Sequence, residues 1–124
     1  MSAGRILVVD DEDDIRRVAT LSLERVGGWE VVPASSGAEA VAAAEGGGVD
    51  AVLLDVMMPD VDGPATLERL RPILGPGVPV VFLTAKVRPA DVERLRGLGA
   101  IGVLAKPFDP MRLPRELAKV LAGS

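Results

Sequence analysis

Five side chains in this sequence have the types needed to handle an anion together with a cation: Asp10, Asp11, Asp55, Thr84 and Lys106. Each follows the end of a short apolar run. Asp10 and Asp11, with Glu12, come after Ile6–Val9, and Asp55 comes after Ala51–Leu54. Thr84 and Ala85 follow Val78–Leu83, and Lys106 and Pro107 follow Ile101–Ala105. The chain contains no Cys and no His, which removes thiolate metal sites, disulfide frameworks and the commonest general base. Chemistry must therefore run on Asp, Glu, Lys, Ser, Thr or Arg.

If the apolar runs are parallel strands, these residues converge on one rim of a sheet. Like-charged carboxylates about 5 Å apart repel by roughly 3 kcal/mol per pair at an effective dielectric near 20. A hard divalent cation relieves that repulsion, and an all-oxygen site with few carboxylates suits Mg²⁺. Lys106 adds a point charge and Thr84 a hydroxyl donor, a set that would hold a phosphoryl group. Asp55 is then the candidate nucleophile, since carboxylates form acyl phosphates and are already ionised at neutral pH. Each residue has a plainer explanation when taken alone. Acids opening a helix favour its dipole, which suffices for Asp13 and Asp14. An Asp or Thr at a strand end can be a turn residue, and Lys106 could be an ordinary surface lysine. The shared position of all these residues after alternating strands favours a common site.

The elements that must position them follow from periodicity. Ile6–Val9, Glu30–Ala34, Ala51–Leu54, Val78–Leu83 and Ile101–Ala105 are too short for helices and rich in β-branched residues, so each is predicted as a strand. Between them, Ile15, Val18, Ala19, Leu21, Ser22 and Val26 follow a helical period that Gly27–Gly28 stops. Gly37–Ala44 is helix-prone, with Ser36 or Ser35 as its N-cap, and Gly46–Gly48 ends it. Pro64–Leu74, Pro89–Leu98 and Pro110–Leu121 each suit a helix with Pro in its first turn. Strand and helix alternate five times, which predicts an α/β fold with a parallel sheet covered on both faces. Pro33 confines the second strand to an edge. A doubly wound order 2-1-3-4-5 satisfies this and puts the ligand-binding switch point between the first and third strands. Asp50 precedes its strand and belongs at the opposite end.

The 124 residues fit one domain, 1–124, with no linker or repeat and no effector domain after the last helix. Hydrophobic residues make up 48% but aromatics only 2%, so the core must be aliphatic. A net charge of −4 without a basic stripe argues against nucleic acid as a partner. No window approaches the roughly 18–20 apolar residues of a membrane span, and no signal peptide precedes Asp10, so a cytoplasmic location is expected.

Four segments carry a family resemblance. Ile6-Leu-Val-Val-Asp-Asp-Glu12, Leu54-Asp-Val-Met-Met-Pro-Asp-Val-Asp-Gly63, Phe82-Leu-Thr-Ala85 and Lys106-Pro-Phe108 resemble the response-regulator receiver domains of two-component signalling. The resemblance covers essentially the whole chain. It implies a flavodoxin-like (βα)5 fold with phosphorylation on Asp55. It further implies direct Mg²⁺ ligation by Asp11, Asp55 and the backbone carbonyl of Met57, with Asp10 acting through a metal-bound water. Thr84 and Lys106 would bind phosphoryl oxygens, Pro107 would follow a cis bond, and Asp62–Gly63 would form the loop before the third helix. The implied phosphodonors are a histidine kinase, a histidine phosphotransfer protein or a small molecule such as acetyl phosphate. Output would pass to a downstream protein or a homodimer through the face of the fourth helix, fifth strand and fifth helix.

The family commonly has an aromatic residue three positions before the lysine, and here that position is Val103. Valine has little rotamer range and no polar tip. Signalling would then use the backbone of the loop after Thr84 and the output face, or the domain would serve as a phosphate sink. Two positions that tune dephosphorylation in the family hold Met57 and Lys86, and Met57 offers no side-chain donor to an attacking water. Three rival readings are less well supported. A Mg²⁺-dependent phosphohydrolase would want a second Asp two positions after the first, where Glu12 stands. A receiver without chemistry would not need Asp11, Asp55, Thr84 and Lys106 together. A flavin carrier would need aromatics to stack on the ring.

Overall fold

A computed structural model describes residues 3–123. Its elements run β1 Arg5–Val9, α1 Asp13–Arg25, β2 Glu30–Ala34, α2 Gly37–Glu45, β3 Ala51–Asp55, α3 Gly63–Leu74, β4 Val80–Thr84, α4 Pro89–Gly97, β5 Gly102–Ala105 and α5 Leu113–Ala122. The five strands are all parallel, in the order β2-β1-β3-β4-β5. This is the doubly wound, flavodoxin-like arrangement expected, with β2 and its Pro33 on an edge.

Alternation along the strands builds two aliphatic cores, one on each face of the sheet. Leu7, Val9, Val52, Leu54, Val80 and Phe82 point one way and pack with Ala40 and Ala44 of α2, Leu67 and Leu70 of α3 and Leu95 of α4. Ile6, Val8, Leu53, Val81, Leu83 and Leu104 point the other way, against Ala19 and Leu23 of α1 and Leu113 and Leu117 of α5. The central strands β3 and β4 are buried at every residue, which is why they read as unbroken apolar runs. Helix α2 lies so near α3 that a Cβ on Gly37 would sit 2.6 Å from Thr66 Oγ1.

Several boundaries differ from the sequence-based expectation. Strand β4 starts at Val80, because Pro79 has no N–H to give to the ladder. Strands β3 and β4 extend to Asp55 and Thr84, helped by the Val56 amide donating to Leu83 O at 3.2 Å. Helix α5 begins at Leu113 rather than Pro110. Asp109 closes a turn there, its side chain accepting from Met111 N and its carbonyl from Arg112 N and Leu113 N, each at 2.9 Å. Ser36, not Ser35, caps α2 by accepting from Glu39 N at 3.1 Å, while Ser35 donates to the Glu39 carboxylate.

The N-terminal end of the sheet is laced by charged side chains. Asp50 Oδ2 accepts from Arg5 N at 2.8 Å, and Arg5 reaches Glu30 Oε1 at 3.1 Å. Arg71, at the end of α3, donates to the carbonyls of Gly75, Val78 and Gly99 at 3.1, 2.8 and 3.2 Å. One guanidinium thus ties the α3–β4 and α4–β5 loops. Trp29 lies at this same end, against Gly4.

Candidate functional site

Parallel strands bring their C-terminal ends to one rim, and the expected residues meet there. Asp10 follows β1, Asp55 and Thr84 end β3 and β4, and Lys106 directly follows β5 and is joined to Pro107 by a cis peptide bond. One carboxylate oxygen from each of Asp10, Asp11 and Asp55 lies within 4.8 Å of the other two. Asp10, Asp55 and Thr84 are buried, and Asp11 is half-buried. Lys106 Nζ lies 2.8 Å from Asp10 Oδ2, 3.1 Å from Asp55 Oδ1 and 3.5 Å from Glu12 Oε1. The ammonium therefore stands among three carboxylates.

That crowding shows in the proton affinities. Burial, and then the neighbouring Asp10 carboxylate, push the Asp55 pKa from 3.8 up to about 6, against the opposing pull of Lys106. Burial on its own would lower the Lys106 pKa, but Asp10 and Asp55 outweigh it and raise the pKa above the ordinary lysine value. Asp11 Oδ1 and Asp55 Oδ2 are buried without a hydrogen-bond partner, and Asp10 Oδ2 has only its ion contact with Lys106. Buried carboxylate oxygens left in this state are costly unless something positive completes them. The oxygen-only donor set and the short separations fit a Mg²⁺ ion.

The local backbone explains why these groups face one point. Asp10 N donates to Ala34 O at 3.1 Å, and Asp10 Oδ1 accepts from Glu12 N at 2.9 Å. Thr84 Oγ1 accepts from Lys86 N at 3.1 Å, which leaves its hydroxyl proton free to donate elsewhere. Gly63 lets α3 begin against the end of β3, since a Cβ there would collide with the Asp55 carbonyl oxygen. Asp62 caps α3 by accepting from Ala65 N at 2.9 Å. Met57 sits in the loop after β3 with its side chain 71% exposed, so any role in a buried site falls to its main chain. Lys86 is exposed, and Val103 is half-buried against the core face that holds Phe82 and Leu95.

Three contacts were not anticipated from the sequence. Glu12 approaches Lys106, and Arg16 Nη1 donates to the Asp10 carbonyl at 2.8 Å while Nη2 pairs with Asp13 Oδ1 at 2.6 Å. The spacing of Asp13 and Arg16 would have signalled the helical pair, though not the bond to Asp10. A groove of about 560 Å³, lined by residues such as Pro64, Leu67, Pro72 and Leu98, shares no residue with the acidic rim.

Comparison with known proteins agrees with this geometry. A family model described as "Response regulator receiver domain" matches residues 6–118. The chain is 43% identical over 105 residues to the probable transcriptional regulatory protein TcrX of Mycobacterium tuberculosis, covering 83% of this chain and 43% of the relative. It is 38% identical over 122 residues to the alkaline phosphatase synthesis transcriptional regulatory protein PhoP of Bacillus subtilis, covering 97% of this chain and 49% of the relative. The chain spans about half the length of the curated relatives it matches. Among solved structures, the chemotaxis protein CheY4 of Vibrio cholerae superimposes with a TM-score of 0.86 at 32% identity, covering 94% of this chain and 98% of that one.

Proposed function

Because the chain belongs to the response regulator receiver family of two-component signalling, we propose that Asp55 is its phosphoacceptor and that residues 1–124 form one receiver unit. The observation that carries this is the buried, unpartnered Asp55 Oδ2 beside Lys106, Thr84, Asp10 and Asp11. An Asp55 oxygen attacks phosphorus, forming an O–P bond as the bond from phosphorus to the donor's imidazole nitrogen breaks and that nitrogen takes up a proton. No base is required at neutral pH, where a carboxylate with a pKa of about 6 is mostly ionised. Lys106, held by Asp10 and Asp55, is within reach to exchange a carboxylate contact for a phosphoryl oxygen, and the Thr84 hydroxyl has its proton available for another.

Receiver domains bind Mg²⁺ at an acidic pocket. In this chain Asp11, Asp55 and the Met57 carbonyl would hold the ion directly and Asp10 through a water. Bound there, Mg²⁺ would neutralise charge on the carboxylates and on the transferring phosphoryl group. The donor is a histidine kinase or a histidine phosphotransfer protein, with acetyl phosphate as a small-molecule substitute. The domain catalyses only its own phosphotransfer and dephosphorylation, without turnover of a free substrate. Phosphorylation switches binding of a downstream protein or a second copy at the face of α4, β5 and α5, in the cytoplasm. Among the described residues no helix is long and apolar enough to cross a membrane.

Intact mass spectrometry after incubation with acetyl phosphate and Mg²⁺ tests this proposal. One added phosphoryl group is expected, lost with EDTA and missing in Asp55→Asn. An adduct that persists in Asp55→Asn would place the acceptor elsewhere.

A further inference from the structure

We infer that Arg16 is a positioning residue for the acidic site: by holding the Asp10 carbonyl it fixes the Asp10–Asp11 peptide, and with it the way both carboxylates face a divalent cation. This rests on the Mg²⁺-dependent site described above. Arg16 stands near the start of α1, where its side chain is only 20% exposed, whereas Arg17 beside it is exposed. Its two terminal nitrogens do different jobs. Nη2 pairs with Asp13, and Nη1 donates to Asp10 O at 2.8 Å. The planar fork makes both contacts with one fixed geometry, which a lysine ammonium cannot reproduce.

The Asp10 carbonyl belongs to the same planar unit as the Asp11 amide, so fixing one orients the other. Besides the ion pair of its Oδ2 with Lys106, Asp10 is held by three hydrogen bonds: its amide by Ala34 O, its carbonyl by Arg16 and its Oδ1 by Glu12 N. None of these restraints uses Asp11 Oδ1 or Asp55 Oδ2, which stay buried and unpartnered. Arg16 thus stiffens the turn that presents the ligands without occupying them. A pair with Asp13 alone would contribute little, because the Asp13 side chain is 86% exposed. The bond to the Asp10 carbonyl is what links this arginine to the site.

Titration calorimetry with MgCl₂ on the whole metal-free chain tests the role, using wild type, Arg16→Met, Arg16→Lys and Arg17→Met. Arg16→Met is expected to weaken Mg²⁺ binding roughly tenfold, in the range seen when a partner of a metal ligand is lost. Arg16→Lys should lose about threefold, since it keeps the charge but not the fork. Arg17→Met removes an equal charge one residue on, and should stay within about twofold of wild type because exposed charges are screened. The Glu12 amide resonance of the metal-free protein should shift in Arg16→Met and not in Arg17→Met. Wild-type affinity in both Arg16 variants overturns the inference, as does an equal loss in Arg16→Met and Arg17→Met. If Arg16→Met does not fold, a wild-type affinity in Arg16→Lys overturns it alone. A wild-type protein that binds no Mg²⁺ would refute the functional proposal itself, an outcome distinct from any difference among variants.

Discussion

Replacing Asp55 with Asn should stabilise the metal-free protein, although it removes the proposed reactive group. Folding takes the Asp55 carboxyl from a pKa of 3.8 to about 6, so the folded state resists its ionisation. A raised carboxylate pKa means the folded state binds more protons than the unfolded chain between those two values. Stability therefore falls as pH rises through that window, and the full penalty is present above about pH 6. A shift of roughly two units corresponds to about 3 kcal/mol at about pH 7.5. Asn carries no charge to desolvate and no repulsion towards Asp10, but it leaves Lys106 with one carboxylate fewer. This lost ion pair reduces the expected gain to about 1–2 kcal/mol. Urea unfolding in EDTA, at about pH 7.5 and about pH 5, measures it. The gain of Asp55→Asn over wild type should shrink by about half at the lower pH, where Asp55 is largely protonated. Saturating Mg²⁺ should shrink or reverse it as well, because the ion binds the folded wild-type site. A variant less stable than wild type in EDTA, or a gain equal at both pH values, would refute the reasoning.

Lys106→Met should destabilise the metal-free protein by about 2–3 kcal/mol near neutral pH, since Asp10 and Asp55 then repel without their cation, and chemical denaturation would read this. Leu70→Ala should cost about 2–5 kcal/mol in the same assay without abolishing phosphorylation, because it empties core space beneath α3 rather than touching the rim. Gly63→Ala should cost about 1–3 kcal/mol by forcing the β3–α3 connection off the Asp55 carbonyl, and should also slow phosphorylation by acetyl phosphate. Trp29 fluorescence should stay unchanged on adding Mg²⁺, since the indole lies at the far end of the sheet beside Gly4.

Much of this was legible in the sequence for identifiable reasons. Strands buried on both faces leave uninterrupted apolar runs, so Ala51–Leu54 and Val78–Leu83 were readable as strands, although the ladder of the second starts only at Val80. Pro33 marked an edge, which fixed one end of the strand order. Given that order, the rim residues Asp10, Asp11, Asp55, Thr84 and Lys106 had to meet. Less legible were features set by single hydrogen bonds. The Asp109 turn displaced the start of α5 from Pro110 to Leu113, and a proline in either position looks alike in sequence. The bond from Arg16 to the Asp10 carbonyl depends on how α1 leaves the turn, which no residue spacing specifies. Raised proton affinity at Asp55 likewise arises from burial and neighbours that only the assembled sheet supplies.

The two ends of the sheet are fastened by separate sets of bonds. At the N-terminal end, Arg71 grips three backbone carbonyls and Arg5 is tied to Asp50 and Glu30, none of which a phosphoryl group at Asp55 would touch. At the other end the fastenings are the very carboxylates and ammonium on which phosphorylation would act. The molecule is built like a fan with a riveted base: the strand tips can respond to a new charge while the handle keeps its shape. A phosphoryl group on Asp55 would thus act first on the bonds at one end of the sheet and leave those at the other end in place.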